Sequence, residues 1–347
     1  MTEETGDADD VNTILPDEMI LQVFHLLPLE SLLQCEQVCR HWRKLALDTT
    51  LWKRITIIYS GKPGQTEVSE KNLEILTSHC DYICNVKIQY VYNYPFIMSI
   101  LEKCPNLTSI ELIMCRVSTD FPDDLLRWPK LKKLSLRNSL LLQTKENTDT
   151  LIKFNHFKDL SYVALADFGL SSSNWNMLIQ CVHLNHLYLE KIRDIEIDQV
   201  KELILAKKRS LVCLHVYGGT AIDDKCLQLL AHCPCLEELV IIRCDNLTDA
   251  GLLPLAGLTQ IKNLQIWNNK HFTEMGLLST LGSPNLIKLK SLSLSRVKNI
   301  SPVIVDLISE HYKNLKFLAV YQCPRIIDTD YEKQLKSKFR NIDVVLY

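Results

Sequence analysis

An apolar pattern, Leu-x-x-Leu-x-Leu with other apolar residues allowed at the leucine positions, recurs through most of the chain. Its clear copies begin at Leu107, Leu131, Leu160, Leu184, Leu211, Leu236, Ile261, Leu289 and Leu315. Weaker copies begin at Trp52, Ile83 and Phe339. Successive copies start 24 to 31 residues apart, and self-similarity at such a period is typical of a solenoid built from stacked repeats.

Each copy predicts a short strand followed by a helix. The last two apolar positions of a copy alternate with other residues, so a strand directs both to the same side. The residues after each copy have helical apolar spacing, as in 302–308. One strand and one helix cannot bury their apolar faces alone, whereas stacked neighbours can. We therefore expect an α/β solenoid with a parallel sheet inside a horseshoe and helices outside.

The copy that begins at Leu236 resembles the cysteine-containing subclass of leucine-rich repeats. Cys244 follows its strand, and Leu-Thr-Asp-x-Gly-Leu at 247–252 starts its helix. Either Thr248 or Asp249 can cap that helix. Cysteines at the same turn, or just before a repeat leucine, are predicted to be small buried packing residues that donate weakly to a turn carbonyl. They are Cys104, Cys115, Cys233, Cys244 and Cys323.

Residues 15–54 have a different pattern, which predicts a cluster of three short helices. Pro16 opens the first helix, and acidic residues in its first turn favour the helix dipole. Ile20, Phe24 and Leu27 form one apolar stripe at i, i+4 and i+7. About forty residues are too few to bury all of these apolar groups internally. The repeat array, a partner protein or both must cover the remainder.

This segment resembles the F-box, with Leu15-Pro16, Val-Cys-Arg-His-Trp at 38–42, and Leu51-Trp52 matching its pattern. The resemblance implies a three-helix F-box at 14–58, followed by leucine-rich repeats at 59–347. It also implies binding to a Skp-type adaptor and, through it, to a cullin–RING assembly. The chain would then be the substrate-recognition subunit of an SCF-type ubiquitin ligase. The residues expected to bind the adaptor are Leu15, Pro16, Ile20, Leu27, Val38 and Trp42.

Composition and charge narrow the class of protein. The chain has 347 residues, 47% of them hydrophobic, and a net charge of −2, which does not favour general binding to nucleic acid or to a membrane. The first residues are acidic and unlike a signal peptide, and no apolar run approaches the ~18 residues of a membrane span. We therefore expect a soluble protein of the cytoplasm, the nucleus or both, with an acidic disordered tail at 1–13. The polar stretch 144–150 is expected to be an insertion loop.

The candidate chemistry does not favour an enzyme. The chain has 13 cysteines, but no two are spaced as Cys-x-x-Cys, the usual paired zinc ligands. A catalytic thiol would need a base and an electropositive site, whereas most of these cysteines have repeat positions. GxGxxG, P-loop and HExxH patterns are absent from the sequence. We therefore expect a non-catalytic subunit without a metal or another cofactor.

Alternate strand residues are expected to face the concave side of the horseshoe, where exposed aromatic residues suggest a surface that binds a protein substrate. The candidates are Tyr188, His215, Tyr217, Ile242, Arg243, Trp267 and Tyr321. The same side chains could instead stack between neighbouring repeats and stabilise the sheet. A plain leucine-rich-repeat scaffold or inhibitor, without a role in ubiquitylation, is the alternative function.

Overall fold

The structure, a computed structural model, describes residues 15–61, 70–141, 152–167, 170–192, 196–218, 222–326, 330–331, 334, 339 and 343–345. The chain divides into two compact units, Met1–Ile110 and Glu111–Tyr347. The predicted acidic tail at 1–13 and the predicted loop at 144–150 lie outside the described residues. In the part of the chain that is described, no helix is long and apolar enough to cross a membrane.

The first unit begins with helices α1 (Asp17–Phe24), α2 (Leu29–Cys35), α3 (Arg40–Ala46) and α4 (Thr49–Trp52). The pattern predicted three helices, and the short α4 is the difference. It forms because the Asp48 carboxylate accepts a hydrogen bond from the Thr50 N–H at 2.8 Å and so caps a new turn. Proline precedes both α1 and α2, where its missing N–H costs no helical hydrogen bond.

The remainder of the first unit alternates strands and helices. The elements are β1 (Thr56–Ser60), α5 (Glu70–His79), β2 (Asn85–Gln89), α6 (Tyr94–Leu101) and β3 (Ser109–Ile113), the last of which crosses the unit boundary. Strands β1 and β2 pair in parallel from Thr56 opposite Asn85 to Ser60 opposite Gln89. The weak apolar copies that begin at Trp52 and Ile83 therefore form real strands.

The second unit continues the alternation. Its elements are β4 (Arg116–Val117), α7 (Phe121–Asp124), β5 (Lys133–Arg137), β6 (Leu140–Leu141), β7 (Tyr162–Ala166), α8 (Ser172–Gln180), β8 (His186–Glu190), α9 (Ile197–Lys207), β9 (Cys213–Tyr217), α10 (Asp224–Leu230), β10 (Glu238–Ile242), α11 (Asp249–Leu252), β11 (Asn263–Trp267), α12 (Glu274–Leu281), β12 (Ser291–Ser295), α13 (Pro302–His311), β13 (Phe317–Ala319) and β14 (Asp343–Val345). Short 3₁₀ turns lie at Leu125–Arg127, Phe154–His156 and Leu253–Gly257.

The strands of the second unit form a parallel sheet in chain order, β5-β7-β8-β9-β10-β11-β12-β13-β14, while β4 pairs with β6 alongside it. Neighbouring strands are aligned without a slip, so that Cys213 lies opposite Glu238 and Glu238 lies opposite Asn263. All described residues at the apolar positions of the nine clear copies are buried. Burial of a leucine-sized side chain contributes about 1.5–3 kcal/mol, so the repeat pattern supplies a continuous core. The structure has the predicted leucine-rich-repeat fold.

Most strands of the repeats are followed by a residue that has a left-handed backbone. In the second unit the residues directly after a strand are Met114, Asn138, Asp167, Lys191, Gly218, Arg243, Asn268 and Arg296, and Gln322 lies three residues after β13. The N–H of such a residue donates to a carbonyl at the end of the next strand, as Arg243 N does to Trp267 O at 3.0 Å, or just beyond it, as Arg296 N does to Tyr321 O at 2.7 Å. A left-handed conformation costs a non-glycine residue about 1 kcal/mol or more. The added hydrogen bond offsets that strain and holds the ends of the strands in register.

A second ladder connects the starts of the helices. The Asp224 carboxylate accepts from the backbone N–H and hydroxyl of Thr248, at 2.8 and 2.6 Å. In the next repeat, Asp249 accepts from the N–H of Thr273 at 2.9 Å. Thr248 itself accepts from Ala250 N, so Thr248 rather than Asp249 is the cap of α11. The Thr-Asp pair thus caps one helix and binds the next repeat.

The cysteines at the turns have the predicted packing role. Cys244 is buried, and its thiol donates to Ile242 O at 3.6 Å, while Cys115 donates to Ile113 O at 3.4 Å. Cys323 donates to Leu294 O at 2.9 Å. Burial raises the pKa of Cys104 and Cys244 to about 12, so these thiols stay protonated near neutral pH.

Hydrogen bonds attach the amino-terminal helices to the first repeats within the first unit. The Arg54 guanidinium donates to the carbonyls of Phe24 and Leu27 at 2.9 and 2.8 Å. His79, at the end of α5, lies 3.0 Å from both carboxylate oxygens of Glu36. The His79 ring also stacks on the buried Trp52 indole, with centroids 4.7 Å apart. The helices therefore cover the apolar start of the repeats.

We predict that Gly251→Ala destabilises the protein by about 2 kcal/mol, the typical cost of overpacking. An added Cβ would lie 2.4 Å from Asp224 Oδ1 and 2.9 Å from Asp224 Cα, which breaks the ladder between repeats. Gly257→Ala is the matched control, because no atom lies within 4 Å of its added Cβ. Urea unfolding followed by circular dichroism measures both variants, and equal stability of the two would contradict this account of Gly251.

We also predict that His79→Ala lowers the free energy of unfolding by about 2 kcal/mol, a typical value for a lost hydrogen bond to a charged partner. The change removes the stacked ring beside Trp52 and leaves the half-buried Glu36 carboxylate without this partner. His25→Ala, at an exposed position of the same unit, should change stability by no more than about 0.5 kcal/mol. If the two variants unfold at the same urea concentration, the contact with Glu36 does not stabilise the unit.

Candidate functional site

Helix α1 carries apolar residues on two faces. Ile20 and Phe24 are buried, and the Phe24 ring contacts the Trp42 ring edge-on with centroids 5.2 Å apart. Met19 and Val23 of α1 and Leu26, in the turn two residues after its end, continue the spacing i, i+4 and i+7 and are exposed, and Leu26 is 84% exposed. We name these three residues the outer stripe. Isolated exposed apolar residues are common, but a continuous stripe on one helix face is typical of a surface that binds a partner.

The structure distributes the six residues predicted to bind an adaptor over different environments. Pro16 and Val38 are exposed, and the half-buried ones are Leu15, Leu27 and Trp42. Ile20 is only 3% exposed, so it belongs to the helix core and offers no surface to a partner. The sequence prediction selected the stripe at 20, 24 and 27 and overlooked the outer stripe, although both have the same helical spacing.

The Val-Cys-Arg-His-Trp motif has a local structural role. The Cys39 sulfur accepts a hydrogen bond from Trp42 N at 3.4 Å and thereby caps α3. Capping sets the first turn of α3, from which the Trp42 ring reaches Phe24 of α1. Val38, immediately before this cap, is left exposed. The motif therefore holds α1 and α3 together and presents an apolar residue beside them.

A second candidate surface lies in the second unit, on the face of the sheet that we name the open face. It carries the side chains of the first, third and fifth residues of each strand, which alternate with the buried apolar positions. Of the seven residues predicted to bind a substrate, five lie at these strand positions, Arg243 directly follows β10, and Tyr321 lies two residues beyond β13. They line two cavities that share Tyr217 and Ile242.

The first cavity has a volume of about 340 Å³. Its lining includes Tyr188, His215, Tyr217 and Ile242, together with Arg137. The Tyr188 ring packs against Tyr162 of the preceding strand at 4.8 Å and edge-on against His215 of the next strand at 4.1 Å. Tyr188 and His215 are therefore stacked between repeats, as the structural alternative expected.

The second cavity, of about 670 Å³, is more apolar. Its lining includes Tyr217, Trp267 and Tyr321 from three different strands or strand ends. Trp267 is 38% exposed, and its Nε1 donates to Ser293 Oγ at 2.7 Å. This hydrogen bond satisfies the polar end of the indole and leaves its apolar surface available. Among the described aromatic contacts of the open face, the stacked rings are those of Tyr162, His186, Tyr188 and His215.

Two arginines border the second cavity. The Arg243 guanidinium lies 6.0 Å from the Tyr217 ring centre, and the Arg296 guanidinium lies 5.8 Å from that of Tyr321. Such contacts stabilise a cation over an aromatic face by roughly 0.5–1 kcal/mol at exposed sites. Arg296 was not among the predicted residues. It follows β12 just as Arg243 follows β10, and this equivalent repeat position was the available signal.

Comparisons with known proteins agree with this architecture. Residues 13–58 match the F-box-like family. The F-box protein SKIP19 of Arabidopsis thaliana is 25% identical over 217 residues, which cover 53% of this chain and 70% of SKIP19. A chain in the crystal structure of the Rad7 and Elc1 complex in yeast has a TM-score of 0.57 and 16% identity, covering 89% of both chains. That likeness shows the fold alone.

An internalin (inlF) from Listeria monocytogenes covers 96% of both chains at 18% identity, but its TM-score of 0.48 is too low to carry an argument. The F-box-like match and the similarity to an F-box protein concern the sequence, while the sheet described above shows the repeats. The chain therefore combines an F-box-like segment at residues 13–58 with a leucine-rich-repeat fold.

Proposed function

We propose that this protein is the substrate-recognition subunit of an SCF-type ubiquitin ligase. In this role the amino-terminal helices bind a Skp-type adaptor, and the open face of the repeats binds a protein substrate. The observation that carries the proposal is the outer stripe of α1, an exposed apolar surface within the segment that matches the F-box-like family. A partner that buries these side chains gains hydrophobic free energy without any unfolding of the helix core.

The proposed adaptor surface consists of the outer stripe together with exposed Pro16 and Val38. Leu15, Leu27 and Trp42 contribute their half-exposed parts, and Ile20 supports the surface from inside. This arrangement divides two tasks between two faces of α1, since the residues that fold the cluster differ from those that bind. Surface variants can therefore test binding without loss of the fold.

The proposed substrate surface is centred on the second cavity. Its aromatic residues come from neighbouring repeats, and large aromatic contacts surrounded by polar groups are typical of binding hot spots. Arg243 and Arg296 at its border favour partners with negative charge near the apolar contact. Tyr188 and His215 extend this surface along the first cavity.

The proposed contribution to catalysis is proximity. A subunit that binds both an adaptor and a substrate holds the substrate lysines near the ubiquitin-loaded enzyme of the assembly, which raises their effective concentration. The contact with the cullin–RING part is indirect, through the adaptor. A repeat scaffold or inhibitor is the alternative, and it would use the same open face without needing an adaptor surface on α1.

We predict that the double variant Val23→Asp, Leu26→Asp loses co-purification with a Skp-type adaptor. Loss of a single hot spot costs about 2 kcal/mol of binding, which corresponds to an affinity at least ~30-fold weaker. Both side chains are exposed, so circular dichroism and the melting temperature should stay unchanged. Leu15→Ala with Pro16→Ala should weaken adaptor binding in the same direction.

Gln22→Asp is the control for added negative charge, because it places one of the two added carboxylates at an exposed polar position of the same helix. It should bind the adaptor like the unchanged protein. Undiminished binding by the Val23, Leu26 double variant would rule out the outer stripe as the adaptor surface. An unchanged protein that does not bind an adaptor would favour the scaffold alternative.

We further predict that Trp267→Ala and Tyr217→Ala each weaken substrate capture at least ~30-fold, while adaptor binding is unchanged. Substrates are first identified by proximity labelling with the adaptor-binding variant above, and capture is then compared by quantitative pull-down. Arg243→Ala should have a smaller effect that increases at low salt, because border charges mainly influence the association rate.

The matched control is Met275→Ala, which truncates an exposed apolar residue of α12 outside both cavities. It should leave capture unchanged. If Trp267→Ala and Tyr217→Ala lower the melting temperature and keep full capture, these residues stabilise the repeats and the substrate binds elsewhere.

A further inference from the structure

Three chemically different side chains converge on the open face beside the first cavity. Cys213 and His215 are the first and third residues of β9, so their side chains leave the strand on the same face. Glu238 begins β10 and lies directly opposite Cys213 in the parallel register. The thiol sulfur, an imidazole nitrogen and a carboxylate oxygen all lie within 4.8 Å of one another.

This donor set matches the preferences of zinc. Thiolate, imidazole and carboxylate are its three common protein ligands, with bonds of about 2.0–2.3 Å. A tetrahedral ion with such bonds places its ligand atoms roughly 3–4 Å apart. The three ligand atoms lie within 4.8 Å of one another, so that side-chain rotation is what must bring them to this spacing. A sulfur ligand also selects against calcium and magnesium, which require oxygen donors.

The charge balance favours a divalent cation at this place. A Cys213 thiolate and the Glu238 carboxylate together neutralise two positive charges, while His215 binds as the neutral imidazole. On binding, the Cys213 thiol releases its proton to solvent, and a sulfur–metal bond replaces the sulfur–hydrogen bond. Without an ion, the thiol donates to the Tyr188 hydroxyl at 3.3 Å, and burial raises its pKa to about 12.

The surrounding residues already orient the three groups. Asn263 Nδ2 donates to Glu238 Oε1 at 2.8 Å, and His215 Nε2 lies 2.8 Å from the same oxygen. The Tyr188 hydroxyl beside Cys213 can turn its proton toward a thiolate. Partners of this kind fix ligand orientation at metal sites. Cys213 is only 1% exposed, whereas the His215 and Glu238 side chains are partly exposed, so an ion can enter from the open face.

We propose that Cys213, His215 and Glu238 form a zinc-binding site on the open face, with a fourth coordination position directed toward solvent. Paired cysteines in Cys-x-x-Cys spacing do not occur in the sequence. A Cys-x-His pair on a strand has a different spacing but the same effect, because residues i and i+2 share a face. The proposal stands on this geometry and does not depend on a role in ubiquitylation.

The test uses the purified full chain and Co²⁺, an optical substitute for zinc, followed by competition with Zn²⁺. The unchanged protein should bind one equivalent of Co²⁺ with a sulfur-to-cobalt charge-transfer absorption, and Zn²⁺ should abolish that absorption. Cys213→Ser should remove the absorption. His215→Ala and Glu238→Gln should each weaken metal affinity at least ~10-fold. Loss of a residue that only supports a ligand already costs about that much, and loss of a ligand should cost no less.

Cys235→Ser is the matched control, because Cys235 is an exposed cysteine outside the cluster. It should leave the absorption and the affinity unchanged. An absorption that persists in Cys213→Ser, or that never forms in the unchanged protein, overturns the proposal, and the three residues are then only a hydrogen-bonded cluster.

A second measurement separates lost binding from lost folding. Zn²⁺ should raise the melting temperature of the unchanged protein, because an ion that binds the folded state stabilises it. Cys213→Ser should show no such rise, while Cys213→His, which restores a ligand, should recover it without the sulfur absorption. An equal rise in the unchanged protein and in Cys213→Ser would place the zinc elsewhere and refute this site.

Discussion

Parallel pairing without a slip between successive strands is the constraint on which the second unit depends. In the main sheet, paired strands begin opposite each other's first residues, and β5 and β7 to β12 are each followed by a left-handed residue whose N–H reaches the next strand or the residues just after it. A shift of one residue would turn the buried apolar positions outward and the open-face residues inward. The same register therefore builds the core and brings side chains that are about 25 positions apart into rows.

These rows explain how a repetitive fold produces local surfaces that are not repetitive. The row through Cys213, Glu238 and Asn263 carries polar groups, whereas Tyr217, Ile242 and Trp267 form an apolar stretch within the row of fifth strand positions. Both consist of residues that the repeat pattern leaves free, because only the intervening positions must be leucine-like. A leucine-rich repeat can therefore change its binding surface while its core stays the same. The borders vary in the same way, since any residue that tolerates a left-handed backbone can follow a strand.

The sequence predicted the repeat architecture well because one physical requirement, burial of regularly spaced apolar residues, recurs in every copy. The same logic failed within α1, where two apolar stripes have equal helical spacing and nothing in the spacing tells which one faces the core. Packing against Trp42 decides this, and that contact depends on α3. The role of Gly251 was similarly hidden, because the carboxylate that occupies the space beside it belongs to Asp224 of another repeat. By contrast, the capping role of Thr248 could be predicted locally, because the sequence offered only Thr248 and Asp249 as caps of α11.

Of the two interpretations of the aromatic open-face residues, the stabilising stack fits one part of the face, and the proposed binding surface lies on another part. Tyr188 contacts rings on both neighbouring strands, and burial raises the pKa of its hydroxyl, so much of its surface is already used. Trp267 instead fixes its polar end through Ser293 and retains exposed apolar area beside a cavity of about 670 Å³. A partner gains most from side chains that are held in place but not yet covered, because little conformational entropy remains to be lost on binding. In the proposed function, the binding energy of the open face is therefore expected to concentrate around Trp267, with the packed rings beside it supplying rigidity.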